Sequence, residues 1–159
     1  MRVYVLRHGI AEDAPPGGSD GDRALTPEGK QKLRRVLERA RDSGVDPGLI
    51  LTSPLKRAVE TAEIAATVLR VGSELVRTNA LLPAGSPEQV WKEIRAHKVE
   101  ELLIAGHEPL LSGVVAFLLG SPAVQVNMKK AALVSIELET AHPQPGGALN
   151  WMLTPKIAG

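Results

Sequence analysis

Two kinds of hydrophobic pattern alternate along the chain. VYVL at 3–6, LILT at 49–52 and ELLIAG at 101–106 are short continuous apolar runs, the pattern of strands buried on both faces. The segments between and after them carry helical spacing instead. Residues 26–44 place Leu33, Val36, Leu37 and Ala40 on one stripe and end at Gly44, read as the C-cap. Residues 53–70 place Leu55, Val59, Ala62 and Ala66 on another. Residues 86–97 predict a shorter helix with Val90, Trp91 and Ile94 inward, and 108–120 is apolar almost all round and therefore well buried. Thr26-Pro27, Ser53-Pro54, Ser86-Pro87 and Glu108-Pro109 each set a hydrogen-bond acceptor before a proline, which reads as an N-cap followed by Pro at the first helical position.

Strands alternating with helices predict an α/β fold: a three-layer α/β/α sandwich around a mostly parallel sheet. ALVSIELE at 132–139 and ALNWMLTP at 148–155 alternate apolar and polar residues. They read as a half-exposed antiparallel hairpin at the sheet's edge, joined by the loop 140–147. PPGGSDGD at 15–22 is a polar loop long enough to suspect function. There is no internal repeat, and 159 residues are most simply one domain.

Composition narrows the chemistry. Aromatics are only 3%, so Leu, Val, Ile and Ala must fill the core. The formal charge is +1, with Lys and Arg mixed among Asp and Glu, which does not suit a nucleic-acid binder. With no cysteine, disulfides, thiolate metal sites and cysteine nucleophiles are excluded. No apolar run approaches the roughly 20 residues of a membrane helix. The first run is too short for a secretory signal, so a cytoplasmic protein without membrane contact is expected. Nothing suggests an extended apolar interface, and a monomer is expected.

In an open α/β sheet, ligands bind beyond the carboxyl ends of the strands, where helix N-termini present free N–H groups. Several unusual residues fall there. Arg7-His8-Gly9 ends the first strand, Thr52-Ser53-Pro54 ends the second with Arg57 in the first turn of its helix, and Gly106-His107-Glu108-Pro109 ends another. Two arginines and two histidines on one rim favour a dianion such as phosphate, which guanidinium forks bind in pairs. Arg57 is oddly placed for a surface residue, because the helix dipole disfavours cations in a first turn. His97 and His142 read as solvated, and no His/Asp/Glu cluster has metal-ligand spacing.

RHG at 7–9, LTPEGKQ at 25–31, SPLKRAVETAEI at 53–64 and GHEP at 106–109, in this order, resemble the histidine phosphatase superfamily, of the phosphoglycerate-mutase-like fold. The compact length, DRALTPEG and LLPAGSPEQV are most similar to its short bacterial branch, the SixA-type phosphohistidine phosphatases. The resemblance implies His8 as the nucleophile that becomes phosphorylated, with Arg7, Arg57 and His107 holding the phosphate. Gly9 would be where backbone passes close to the ligand without a Cβ. Arg23 is a further candidate anion contact, or else a loop-to-helix salt bridge. Two guanidiniums and a protonated His107 would neutralise the transferring phosphoryl group, so neither metal nor cofactor is called for.

One departure bears on substrate. Larger relatives carry a lid glutamate that protonates an alcohol leaving group; here NALLPAGSPEQ at 79–89 has no acid before Glu88. Glu108 is the nearest alternative acid, though a helix cap explains it equally well, and Glu12 is a more distant one. An alkoxide leaves poorly without a general acid, worth on the order of 10²–10⁴ in rate, whereas a phosphohistidine imidazole leaves readily. The expectation is a phosphohistidine phosphatase acting on a phosphorelay or phosphotransfer protein and releasing inorganic phosphate. Its rivals are a phosphatase of small esters with Glu108 as acid, and a non-catalytic phosphate-binding module. The second would need the arginines but not His8.

Overall fold

A computed structural model describes residues 1–139 and 142–159. Strand β1 (Arg2–Arg7) is followed by helix α1 (Pro27–Asp42), β2 (Leu49–Thr52), α2 (Lys56–Val68), β3 (Val76–Arg77), α3 (Pro87–Ala96) and β4 (Glu101–Gly106). Then come α4 (Leu110–Leu118), β5 (Leu133–Glu137), β6 (Ala148–Leu153) and a terminal turn of helix, α5 (Pro155–Ala158). Short 3-10 turns lie at Asp20–Asp22 and Asn79–Leu81.

The sheet order is β3-β2-β4-β1-β5-β6, parallel from β3 to β1 and antiparallel from β1 onward. The wholly apolar strands divide their side chains between two cores because successive residues point to opposite faces. Val3, Val5, Leu102 and Ile104 pack with α3 and α4. Tyr4, Leu6, Ile50 and Leu103 pack with α1 and α2 on the other side. The α/β/α sandwich follows from that division.

The cap readings hold at α1 and α3. The Thr26 hydroxyl accepts the Gly29 N–H at 2.9 Å and the Ser86 hydroxyl accepts that of Gln89 at 3.3 Å, each before a proline in the first turn. Gly44 closes α1 one position beyond Ser43, the C-cap residue, with φ +94°. Its N–H donates to Arg41 O and that of Val45 to Ala40 O, a Schellman closure.

Several expectations are corrected. Helix α2 starts at Lys56 rather than beside Pro54, so Ser53 is not its cap, and in α4 Pro109 itself occupies the N-cap position. Of the predicted stripe Val59 and Ala62 are buried and Leu55 and Ala66 only half-buried; Ala58, Ala65 and the C-cap Leu69 complete the buried face. Both registers satisfy helical spacing, and the choice follows from the need to face Arg57 and Thr61 inward.

The hairpin is not half-exposed throughout. Leu133–Ile136 are all buried, because β1 pairs on one side of β5, β6 pairs on the other, and the two cores cover its faces. Only β6 is an edge. Thr140 and Ala141, within the joining loop 140–147, lie outside the described residues. No helix among the described residues is long and apolar enough to cross a membrane.

Candidate active site

Register assembles the rim. Arg7 lies opposite Gly106, so His8 and His107 leave the sheet side by side, and the ladder extends one step further through His8 N–H to Gly106 O at 3.0 Å. On the other side of β4, Ser53 N–H donates to Ala105 O at 3.0 Å, which sets Ser53 beside them. The rings of His8 and His107 stand 5.1 Å apart. Among the described residues seven polar or charged side chains are buried, and all except Ser135 belong to this rim: His8, Thr52, Ser53, Arg57, Thr61 and His107. Burying so many polar groups in one place opposes folding unless they serve one another or a ligand.

The His8 ring is oriented by its neighbour. Nδ1 sits 2.7 Å from Gly9 O; a carbonyl only accepts, so Nδ1 carries the proton and Nε2 presents a lone pair. Burial, with the charges of Arg57 and Arg7 adding to it, lowers the His8 pKa to about 4. At neutral pH this is an uncharged, oriented imidazole, the form a nucleophile needs.

His107 bonds through Nε2 to Ser53 Oγ at 2.7 Å, while Nδ1 is buried with no partner among the described residues. Ser53 Oγ also accepts the Leu55 N–H at 3.3 Å. A hydroxyl that accepts there can also give its own proton to His107 Nε2, and in that tautomer Nδ1 carries the ring proton. Burial first, then His8 and Arg57, lower the His107 pKa to about 3. The expected protonated His107 is therefore corrected: amid protein groups alone the ring is neutral. A phosphate dianion beside it would act in the opposite direction.

Arg57 is only 5% exposed, at the second position of α2. Its fork is met by Asp20: NH1 donates to the Asp20 carbonyl at 3.0 Å and NH2 to the carboxylate at 3.1 Å. Arg7 donates from NH1 to Met128 O at 2.8 Å, and burial lowers its pKa while the Glu108 charge opposes that shift. The Nε atoms of Arg7 and Arg57 are buried and unpartnered among the described residues, like His107 Nδ1. A buried guanidinium at a helix N-terminus is costly, and an anion shared with the helix N–H groups answers that cost.

The remaining candidates are placed differently. Arg23 donates Nε–H to Glu12 O at 2.8 Å and pairs with Asp20 at 3.2 Å. It makes a salt bridge within its own loop segment and braces the carboxylate that meets Arg57. Glu108 accepts the Ser112 N–H at 2.6 Å, a cap on α4 supplied from just before the helix. Glu12 is exposed, and its N–H pairs with Ala24 O. His97 is half-buried at the end of α3, His142 is exposed, and neither joins the site.

Gly9 packs its bare Cα against the start of α1. A Cβ there would press on Gly29 O at 3.3 Å and Leu25 at 3.5 Å, toward α1. Gly29 is the tighter partner, since any Cβ on it would overlap the Ile10 carbonyl. Thr61 completes the frame: its hydroxyl accepts the Gly9 N–H at 3.2 Å and donates to Arg57 O at 2.8 Å. Thr61, Asp20 and Gly29 were not singled out from sequence, and Ser53 was named only within Thr52-Ser53-Pro54 at the end of the second strand. The usable signal was polar residues recurring on inward positions of α2 and at the end of β2.

The profile of the histidine phosphatase superfamily (branch 1) matches residues 3–81. An uncharacterized protein of a Picosynechococcus species is 35% identical over 150 residues, covering 91% of this chain and 89% of that protein. The chain belongs to the histidine phosphatase superfamily. Within it, a solved structure of the protein histidine phosphatase SixA complexed with tungstate superposes with a TM-score of 0.87 and 28% identity, covering 98% of each chain. The rat 6-phosphofructo-2-kinase/fructose-2,6-bisphosphatase 1 is 31% identical over 103 residues, which are 64% of this chain but only 21% of that longer protein. This chain is a phosphatase of that superfamily, and its two paired histidines sit at the carboxyl ends of β1 and β4, where an α/β fold binds phosphate.

Proposed function

We propose that this phosphatase hydrolyses phosphohistidine on a protein, with His8 as the nucleophile. His8 Nε2 attacks phosphorus in line; the P–N bond to the substrate imidazole breaks and the P–Nε2 bond forms. The leaving imidazole, already protonated on its other nitrogen, departs neutral. Water then attacks phospho-His8, returning Nε2 and releasing inorganic phosphate. Arg7 and Arg57 neutralise the equatorial oxygens and the His107 Nδ1–H donates a hydrogen bond to them, which is most of what a loose phosphoryl transfer requires.

The observation that carries the substrate class is how the nearby carboxylates are used. Glu108 is committed to the Ser112 N–H and Asp20 to Arg57 and Arg23. An alcohol leaving group needs a general acid, and an imidazole does not. The SixA likeness over the whole chain supports the same reading.

A screen tests it: histidine-phosphorylated carrier proteins beside small phosphate esters, with acid-labile phosphate trapped on His8. Efficient turnover of sugar phosphates with phosphohistidine untouched sinks the assignment.

Ester hydrolysis with Glu108 as acid is the second reading, favoured by the place of Glu108 directly after His107, where its charge acts on Arg7. Glu108→Gln separates the two. An ester hydrolase loses about 10²-fold or more in kcat, whereas a phosphohistidine hydrolase keeps its rate.

A further inference from the structure

Beside the rim lies a groove of about 730 Å³ between the 127–131 segment, α1 and the C-terminal turn. Its lining includes Lys32, Lys129, Lys130 and Lys156 and no carboxylate, although the whole chain carries a formal charge of only +1. Lys32 is paired with Glu28 at 2.9 Å; Lys129, Lys130 and Lys156 have no ion-pair partner among the described residues. Between the lysines the surface is apolar and open: Met152 is 40% exposed and Ile157 is 72% exposed. An apolar centre with a charged rim is the anatomy of a protein interface. A small polyanion would instead need converging donors.

The groove is continuous with the site. Arg7 forms part of its wall. The same strip is tied to the nucleophile, through Arg7 NH1 to Met128 O at 2.8 Å and Ala131 N–H to His8 O at 3.1 Å. A phosphohistidine carried on a folded surface and presented to His8 must lay the neighbouring surface across this strip.

We propose that the groove docks an acidic face of the phosphoprotein substrate, with Lys129, Lys130 and Lys156 meeting carboxylates and Met152 and Ile157 meeting an apolar patch between them; this rests on the phosphohistidine reading above. Rim charges of this kind govern encounter and salt dependence, while the apolar pair governs dwell time. The phosphoryl-binding groups then need supply no selectivity among proteins.

The test uses the full chain and two substrates. One is free phosphohistidine; the other is an acidic phosphotransfer domain loaded on its histidine with phosphoramidate. Charge reversal with Lys129→Glu and Lys156→Glu together raises KM for the domain about tenfold or more and flattens its salt dependence. It leaves kcat/KM for free phosphohistidine within about twofold, because Lys129 and Lys156, unlike Lys130, are not among the charges that act on His8 or His107. Ile157→Ala raises KM for the domain without altering the salt slope, and Lys156→Gln gives a smaller version of the charge effect. An unchanged KM for the domain in all variants overturns the proposal. So does an equal loss on both substrates, or weakened inhibition by ATP with the domain unaffected, which would mark a small-polyanion site. Wild-type protein inactive on both substrates sinks the reaction reading and docking together, whereas activity on both with indifferent groove variants sinks docking alone.

Discussion

The Asp20 carboxylate accepts from Arg57 NH2 at 3.1 Å, and the Asp20 carbonyl accepts from NH1 of the same fork at 3.0 Å. An exposed loop residue thus satisfies a guanidinium that the site needs for phosphate. Arg23 braces it from the other side and is the first cause holding the Asp20 pKa below its ordinary value.

A dianion arriving at Arg57 must compete with that carboxylate. Asp20→Asn is expected to tighten product inhibition by inorganic phosphate about two- to fivefold, the scale of a largely exposed ion pair. Phosphate inhibition constants on wild type and variant measure it. Weaker inhibition in the variant would mean that Asp20 aims Arg57 rather than competing for it.

The depressed histidines set the pH behaviour. An ordinary imidazole loses its nucleophilic lone pair below about pH 6.5, but His8, lowered to about 4, keeps it. The acid limb of kcat/KM is therefore expected below pH 5 rather than near 6.5.

Stability moves with the same groups. Between pH 6.5 and about 4 the unfolded chain binds protons at His8 and His107 that the native fold refuses. Stability is then full above 6.5 and falls as pH drops through that window. The pair interacts, so the combined loss is on the order of 3 kcal/mol or more rather than a sum of independent parts. Melting temperatures from pH 7 to 4 record the slope, and His107→Asn should make it shallower.

Ser53 acts through another residue. Ser53→Ala removes the 2.7 Å partner of His107 Nε2 and frees the ring to take the wrong tautomer. A kcat loss of about tenfold or more is expected, with stability lowered by only about 1 kcal/mol. Ser53→Thr, which restores a hydroxyl, should recover part of the rate. A variant that loses stability and rate in proportion would reduce Ser53 to packing.

Close backbone approach is tested at Gly29. Gly29→Ala forces a methyl into the Ile10 carbonyl, and overpacking of this kind costs about 1–3 kcal/mol. Urea midpoints would show it. Because Ile10 follows the His8-Gly9 turn, activity should fall further than stability alone explains.

Runs such as VYVL and ELLIAG could be read directly, because a strand buried on both faces needs an unbroken apolar run whatever its neighbours. The rim residues could be read with them, since a polar residue directly after such a run lies at the strand's carboxyl end. β3 could not: two residues carry no period, and they pair only because Leu51 and Thr52 offer an open edge. The burial of β5 was hidden for a related reason. Ser135 looks like a solvent-facing position until β6 brings Asn150 Nδ2 to its hydroxyl at 3.4 Å.

What the sequence alone determined about this protein is the layer order, the buried strands and the set Arg7, His8, Arg57 and His107. Local periodicity and residue chemistry decide those. Tertiary structure decided the state of that set: the tautomer of His8 through Gly9 O, the neutrality of His107 among cations, and the pairing of Arg57 with Asp20. These depend on distances between residues as far as 99 positions apart, His8 and His107 being the extreme. Charge and hydrogen-bond energies follow distance in space, which spacing along a chain does not encode.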